Sequence, residues 1–208
     1  MRKAFSALLV ALIFSISSSC AEEFKNIPSE YCISFGNPQA EIKVVEYFSL
    51  SCSKCIALLK RDFPHFREKY IDTEEVFWVL HPDPADILTL QLMECLEKLS
   101  EKEKRTFFEY LLETLPKRSS KKTVLQMQKV LEEWGRPLPY LHDLNFLEKT
   151  KSFQVAFAYV KQDRAPKEIP TISINGHLKE DSPTFEFVEE EIKKALKSLP
   201  KPQQKGPM

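Results

Sequence analysis

The chain has 208 residues, with 30 Lys and Arg against 30 Asp and Glu, 43% hydrophobic residues and five cysteines. A near-neutral balance argues against a nucleic-acid footprint, and the length suffices to bury a core of its own. Five cysteines are too sparse for a disulfide-stapled scaffold.

Met1-Arg2-Lys3 is a basic start, Ala4 to Ile16 an apolar run too short to span a bilayer comfortably, and Ser17 to Ala21 a small-residue stretch. This is the pattern of an export signal over residues 1–21, with cleavage expected after Ser19 or Ala21. Cleavage before Cys20 would place it first in the mature chain, as in lipoproteins, but the usual Leu is missing before it. Lipidation of Cys20 therefore stands beside the simpler reading, in which it is lost with the signal. Export implies an oxidising compartment.

Tyr31 to Phe35 reads as a short strand, Gly36-Asn37-Pro38 as a turn, and Ile42 to Phe48 as a strand with one acid, Glu46, inside it. Glu46 has two readings: a solvated edge carboxylate, or a buried acid relaying protons, its pKa raised by burial. Cys52-Ser53-Lys54-Cys55 then opens an amphipathic run carrying Ile56, Leu59, Phe63, Phe66 and Tyr70, with a kink expected at Pro64. Thiols two residues apart can close a small disulfide ring. At a helix start the unpaired N–H groups and the positive dipole end stabilise a thiolate, and Lys54 adds charge. Cys52 is then the attacking thiol and Cys55 the resolving one. A zinc half-site is the competing reading. Structural zinc wants four ligands, and Cys32, Cys95 and four scattered His supply no set at that spacing; no metal is expected.

Glu75 to Leu80 reads as a strand ended by His81-Pro82-Asp83-Pro84. From Asp86 to Lys161 the period is helical. The stripes are Leu88, Leu92, Cys95, Leu96 and Leu99; then, after a Ser100/Glu103 capping box, Phe107, Phe108, Leu111, Leu112 and Leu115, stopped at Pro116. Val124, Met127, Leu131 and Trp134 mark a third helix, and Leu147, Phe153, Phe157 and Val160 a fourth over about 143–161. Ile169 to Ile174 is a strand, Asn175-Gly176 a hairpin turn, and a last helix begins at Ser182-Pro183-Thr184. The expected organisation is a first sheet part over 22–83, an all-helical insertion over 84–161, a second sheet part over 162–199 and a flexible tail over 200–208. Cys32 and Cys95 read as two separate buried thiols rather than a second disulfide.

The order strand, CxxC helix, strand, helical insert, proline-led hairpin and helix resembles the DsbA family, an α/β thioredoxin-like fold with an all-helical insertion. Gly36-Asn37-Pro38-Gln39-Ala40, Val44 to Ser49 with Cys52 and Cys55, Phe63-Pro64, Tyr70 to Thr73 with Val76, and Ile169-Pro170-Thr171 with Asn175-Gly176 carry the resemblance. It implies that Pro170 is cis beside the Cys52 sulfur, that the backbone around Ile169 and Thr171 pairs with an extended substrate, and that Glu46 is the buried acid. Strongly oxidising members have Pro-His between the cysteines. Ser53-Lys54 here implies a less stabilised thiolate and a milder oxidant.

The expected function is an exported, periplasmic thiol–disulfide oxidoreductase, a disulfide-forming oxidase of moderate potential. Its protein substrates would be unfolded or partly folded exported proteins, and a membrane redox partner would recycle it. It needs no cofactor beyond the Cys52–Cys55 disulfide. The alternatives are a reductase or isomerase using the same site, and a copper-binding thioredoxin-fold protein with both thiols as soft ligands.

Overall fold

The computed structural model describes residues 27–115, 120–161, 166–179 and 183–199. The export signal, Cys20, the stop at Pro116, the helix start at Ser182 and the tail lie outside the described residues. The described chain is α/β. Five strands, β1 (Ile33–Phe35), β2 (Ile42–Phe48), β3 (Val76–Pro82), β4 (Thr171–Ile174) and β5 (His177–Lys179), form one sheet in the order β1-β3-β2-β4-β5. β2 and β3 run parallel; every other neighbouring pair is antiparallel.

β2 is β-branched and aromatic, and both of its neighbours are strands, so it holds the centre. Ile42, Val44, Glu46 and Phe48 alternate onto one face and are buried there. α1 (Ser53–Arg61) and α2 (Phe63–Phe66) cover this core with Leu58, Leu59, Phe63 and Phe66. On the opposite face Tyr47 and His81 are neighbours in register, their rings 4.7 Å apart. There the Ile27 N–H donates to His81 Nε2 at 2.8 Å, seating the first described residue against the sheet. Gly36 supplies a turn at φ +84°, where a Cβ would lie 2.5 Å from the Val76 carbonyl oxygen, so the turn takes no larger residue.

Among the described residues five helices separate β3 from β4: α3 (Ile87–Glu97), α4 (Glu101–Thr114), α5 (Ser120–Glu133), α6 (Leu144–Leu147) and α7 (Lys151–Val160). α3 is their centre. Rather than showing one apolar stripe, it is buried continuously from Leu88 to Leu96. Its polar residues are satisfied from outside the helix: Gln91 Nε2–H donates to the Leu141 carbonyl at 2.7 Å, and Glu94 accepts from Tyr140 at 3.0 Å and Ser152 at 2.6 Å. α8 (Phe185–Ser198) closes the fold, with Val188 and Ile192 in the core.

Four local expectations change. Tyr31 belongs to a 3₁₀ turn, Ser29–Tyr31, and the strand begins at Ile33. The long helix after Cys55 breaks at Asp62, two residues before Pro64, and ends in a π-helical turn, Arg67–Ile71. Pro64 lacks the N–H that would continue the ladder, so the helix restarts with proline in its first turn. β3 runs on through His81 and Pro82, Pro82 lying opposite Phe48. The last bond to β2 is donated by Asp83, to the Phe48 carbonyl at 2.7 Å. By alternation the Pro82 nitrogen faces the other side, where β1 does not reach, so its missing N–H costs no ladder bond.

The fourth change matters most for function. The predicted helix over 143–161 is two helices, capped by Asp143 and Thr150. Restarting at Thr150 resets the phase. Ser152, Ala156 and Tyr159 face inward, while Phe157 and Val160 are about half exposed, at 49% and 52%.

Candidate active site

Cys52 is the N-cap of α1, in extended conformation, and its sulfur accepts the Cys55 N–H at 3.2 Å. Negative charge arriving on that sulfur meets an oriented N–H and the positive helix end. Cys52 is partly exposed; Cys55, one turn inside, is fully buried. Burial, and then the hydrogen bond with Cys52, push the Cys55 thiol above its ordinary value. The pair is therefore asymmetric: an accessible sulfur in a donor field and a protonated one behind it. Ser53 and Lys54 are exposed, so the Lys54 ammonium is a solvated charge and a weak electrostatic device.

The Ile169–Pro170 bond is cis, and Cys52 Sγ lies 3.7 Å from the Ile169 carbonyl oxygen. Ile169 is half-buried and Pro170 buried. Thr171 is the first residue of β4. It lies opposite Tyr47 in the sheet, is fully buried, and its hydroxyl donates to the Glu168 carbonyl at 2.6 Å. β4 has already entered the sheet at Thr171, so that side chain is sealed inside.

Glu46 is fully buried on the β2 face that α1 covers. Its Oε2 accepts the Trp78 Nε1–H at 3.2 Å, and Oε1 has no partner. Burial pushes its carboxyl up to about 8, opposed by the Trp78 hydrogen bond and assisted by the charge of Asp62. Of the two sequence readings, the geometry matches the buried acid. The field of Glu46 in turn reaches Cys55. Cys32 and Cys95 are both free thiols, with Cys32 against the Ile27 and Pro28 carbonyls and Cys95 against the Met127 sulfur.

Two residues that the sequence reading passed over hold the loop before Cys52. Asp86 caps α3, its Oδ1 accepting the Thr89 N–H at 2.9 Å. The same carboxylate accepts the Ser51 hydroxyl at 2.8 Å and the Ser49 hydroxyl, while Thr89 Oγ1 accepts the Leu50 N–H at 3.0 Å. Three consecutive loop residues are thus fixed by the first turn of the helical insertion. An Asp before an apolar run is a legible cap signal; its reach back to Ser49 and Ser51 is not. Thr89→Val would leave the Leu50 N–H buried without an acceptor, a loss of about 1–3 kcal/mol. Asp86→Ala would remove a cap, costing roughly 1 kcal/mol, and free both serine hydroxyls. Denaturant unfolding of the two variants measures this; wild-type stability in both would mean the loop holds itself.

Asp86 also edges a groove of about 450 Å³ lined by Pro84, Ala85, Ile87, Leu90, Phe157 and Val160, among others. The groove is mainly apolar and open.

A sheet of this order, a CxxC pair at the start of the helix after β2, and a proline facing it before β4 define a thioredoxin-fold protein with helices inserted between β3 and β4. The chain belongs to the thioredoxin family, whose profile, described as Thioredoxin, matches residues 29–194. The crystal structure of oxidised BdbD from Bacillus subtilis is similar, with a TM-score of 0.63 and 19% identity, covering 83% of this chain and 96% of BdbD. Wolbachia pipientis alpha-DsbA1 follows with a TM-score of 0.60 and 18% identity, covering 85% of this chain and 96% of that one. A Rickettsia bellii relative, provisionally named a protein-disulfide oxidoreductase, is 43% identical over 44 residues, 21% of this chain and 17% of the relative. The match thus spans less than a fifth of that relative's length. Among the described residues no helix is long and apolar enough to cross a membrane.

Proposed function

We propose that this protein is an exported thiol–disulfide oxidoreductase that passes the Cys52–Cys55 disulfide to protein substrates. The observation that carries the exchange reading is the partly exposed Cys52 sulfur at the α1 cap, with buried Cys55 one turn behind it and the buried Glu46 carboxyl on the face that α1 covers. A substrate thiolate attacks Cys52 Sγ, the Cys52–Cys55 bond breaks, and Cys55 leaves as a thiolate. That thiolate takes the Glu46 proton, giving a neutral Cys55 thiol and a carboxylate that is reprotonated from solvent. A second substrate thiolate then attacks the substrate sulfur of the mixed disulfide and releases Cys52, whose charge the Cys55 N–H and the α1 terminus receive. The substrate gains the disulfide and the protein holds two thiols. Its cofactor is the disulfide itself, and a membrane redox partner that reoxidises the pair completes the cycle.

The groove beside Asp86 supports unfolded or partly folded chains as substrates, because these expose apolar segments. Export to the periplasm rests on the signal pattern of residues 1–21, and a lipid anchor at Cys20 on cleavage before it. Exposed Ser53 and Lys54 favour a moderate potential.

The test is the equilibrium potential of the Cys52–Cys55 pair against glutathione. The expected value lies between those of the strong oxidant DsbA, about −120 mV, and thioredoxin, about −270 mV. A value at or below the thioredoxin end would reverse the direction to reductase or isomerase. Stoichiometric Cu(I) uptake with no exchange on a dithiol peptide would replace the reading with copper binding.

A further inference from the structure

The indole of Trp78 occupies an unusual place for a core aromatic. It is fully buried, stacked on Phe66 at 5.2 Å and edge-on to Phe63 at 5.6 Å. In register Trp78 lies opposite Val44, and Glu46 lies two residues further along β2 on the same face. The ring therefore reaches diagonally, and its single polar hydrogen meets Glu46 Oε2 at 3.2 Å. The other groups whose charge bears on this carboxyl are Asp62, at the end of α1, and the Cys55 thiol above it. Asp62 is nearly buried and engaged by both ends of the Arg61 guanidinium at 2.6 and 2.8 Å, so Arg61's charge is spent there. The indole N–H that meets the Glu46 carboxyl is a neutral donor.

We propose that Trp78 is the positioning residue that selects which oxygen of Glu46 carries the exchangeable proton and sets how readily it is released. An indole N–H can only donate. Oε2 must therefore accept, and the carboxyl proton resides on Oε1, the oxygen without a partner. A neutral donor stabilises the carboxylate by far less than a cation would. The acid thus stays protonated through neutral pH, ready for the leaving Cys55 thiolate, yet the anion formed by that transfer keeps one hydrogen bond. This rests on the proton-donor reading of Glu46 given above.

The experiment measures the rate at which the oxidised protein accepts a dithiol peptide, per peptide thiolate, across pH 6 to 10 in wild type, Trp78→Phe and Glu46→Gln. Phenylalanine keeps an aromatic ring in the core and lacks the donor; the smaller ring also leaves a cavity, which the Glu46→Gln arm and the fluorescence titration do not share. In Trp78→Phe the alkaline fall in rate is expected to move up by roughly one pH unit, the size one neutral hydrogen bond supports. In Glu46→Gln that fall should vanish. Loss in Glu46→Gln with no movement in Trp78→Phe overturns the role of Trp78 alone. An unchanged Glu46→Gln profile overturns the proton-donor reading beneath it.

A second measurement needs no Trp78 variant. With Trp134→Phe as background, Trp78 is the remaining tryptophan, and its fluorescence should titrate with a midpoint near 8, where Glu46 ionises. The transition should disappear when Glu46→Gln is added. A pH-independent signal, or one that survives Glu46→Gln, would sink the proposal even if Trp78→Phe fails to fold.

Discussion

Cys55→Ser is expected to stop turnover at the mixed disulfide. Cys52 remains partly exposed at the cap of α1 in this variant, free to attack a substrate disulfide. The serine hydroxyl cannot displace the substrate sulfur, so a covalent adduct through Cys52 accumulates and can be weighed by mass spectrometry. Cys52→Ser should form no adduct, because the remaining thiol is fully buried and held protonated. Both variants should lose at least about a thousandfold in turnover, since the two sulfurs act as one unit. Turnover persisting in Cys52→Ser would place the chemistry elsewhere. The reverse pattern, with adducts on Cys55, would invert the assigned roles.

Glu46→Gln is expected to change the pH dependence of stability by several kcal/mol. The folded carboxyl titrates at about 8 against an ordinary 4.5. Below 4.5 both states are protonated and the group carries no penalty. As pH rises past 4.5 the unfolded chain ionises while the folded one does not, so stability is lost until the folded group ionises near 8. The gap at pH 7 amounts to roughly 3 kcal/mol, and the full gap to about 5 kcal/mol. Glutamine cannot ionise. Its stability relative to wild type should therefore rise by about 3 kcal/mol between pH 4.5 and 7 and level off above 8. The comparison must be made against wild type at each pH, because His81 slopes the other way. Burial lowers it from 6.5 to about 4, so its contribution is lost as pH falls through that window. Urea unfolding at three pH values suffices; a difference that does not vary with pH would mean Glu46 is not a buried neutral acid. A variant more stable at neutral pH yet slower in exchange would fit an acid kept for chemistry at the expense of stability.

The two thiols were legible in the chain, and the reason is local; Glu46 kept two readings there, and the place of Pro170 came from the family resemblance. A CxxC at a helix start puts one sulfur in the cap by covalent spacing alone. An acid inside a β-branched run stands out, but only the strand order put Glu46 on a central strand with its face covered. Asn175-Gly176 takes positive φ at both residues, 48° and 81°, as its turn chemistry dictates. The capping box of Ser100 and Glu103 forms as spelled. Each of these signals lies within a few residues of the structure it specifies.

What the tertiary structure alone decided depends on contacts made far along the chain. Periodicity aligned Phe157 and Val160 with the core, but a cap at Thr150 restarted the helix and turned them to the groove. Pro82 remained in β3 because β1 ends short of it, a property of its neighbour rather than of proline. Asp86 reached back 35 and 37 residues to hold the cysteine loop. Trp78 met Glu46 because parallel register put two strands, 32 residues apart in sequence, on one face. Residue identity and spacing specify which groups can do chemistry. Which partner each group faces is set by register and helix phase, and only the packed fold determines those.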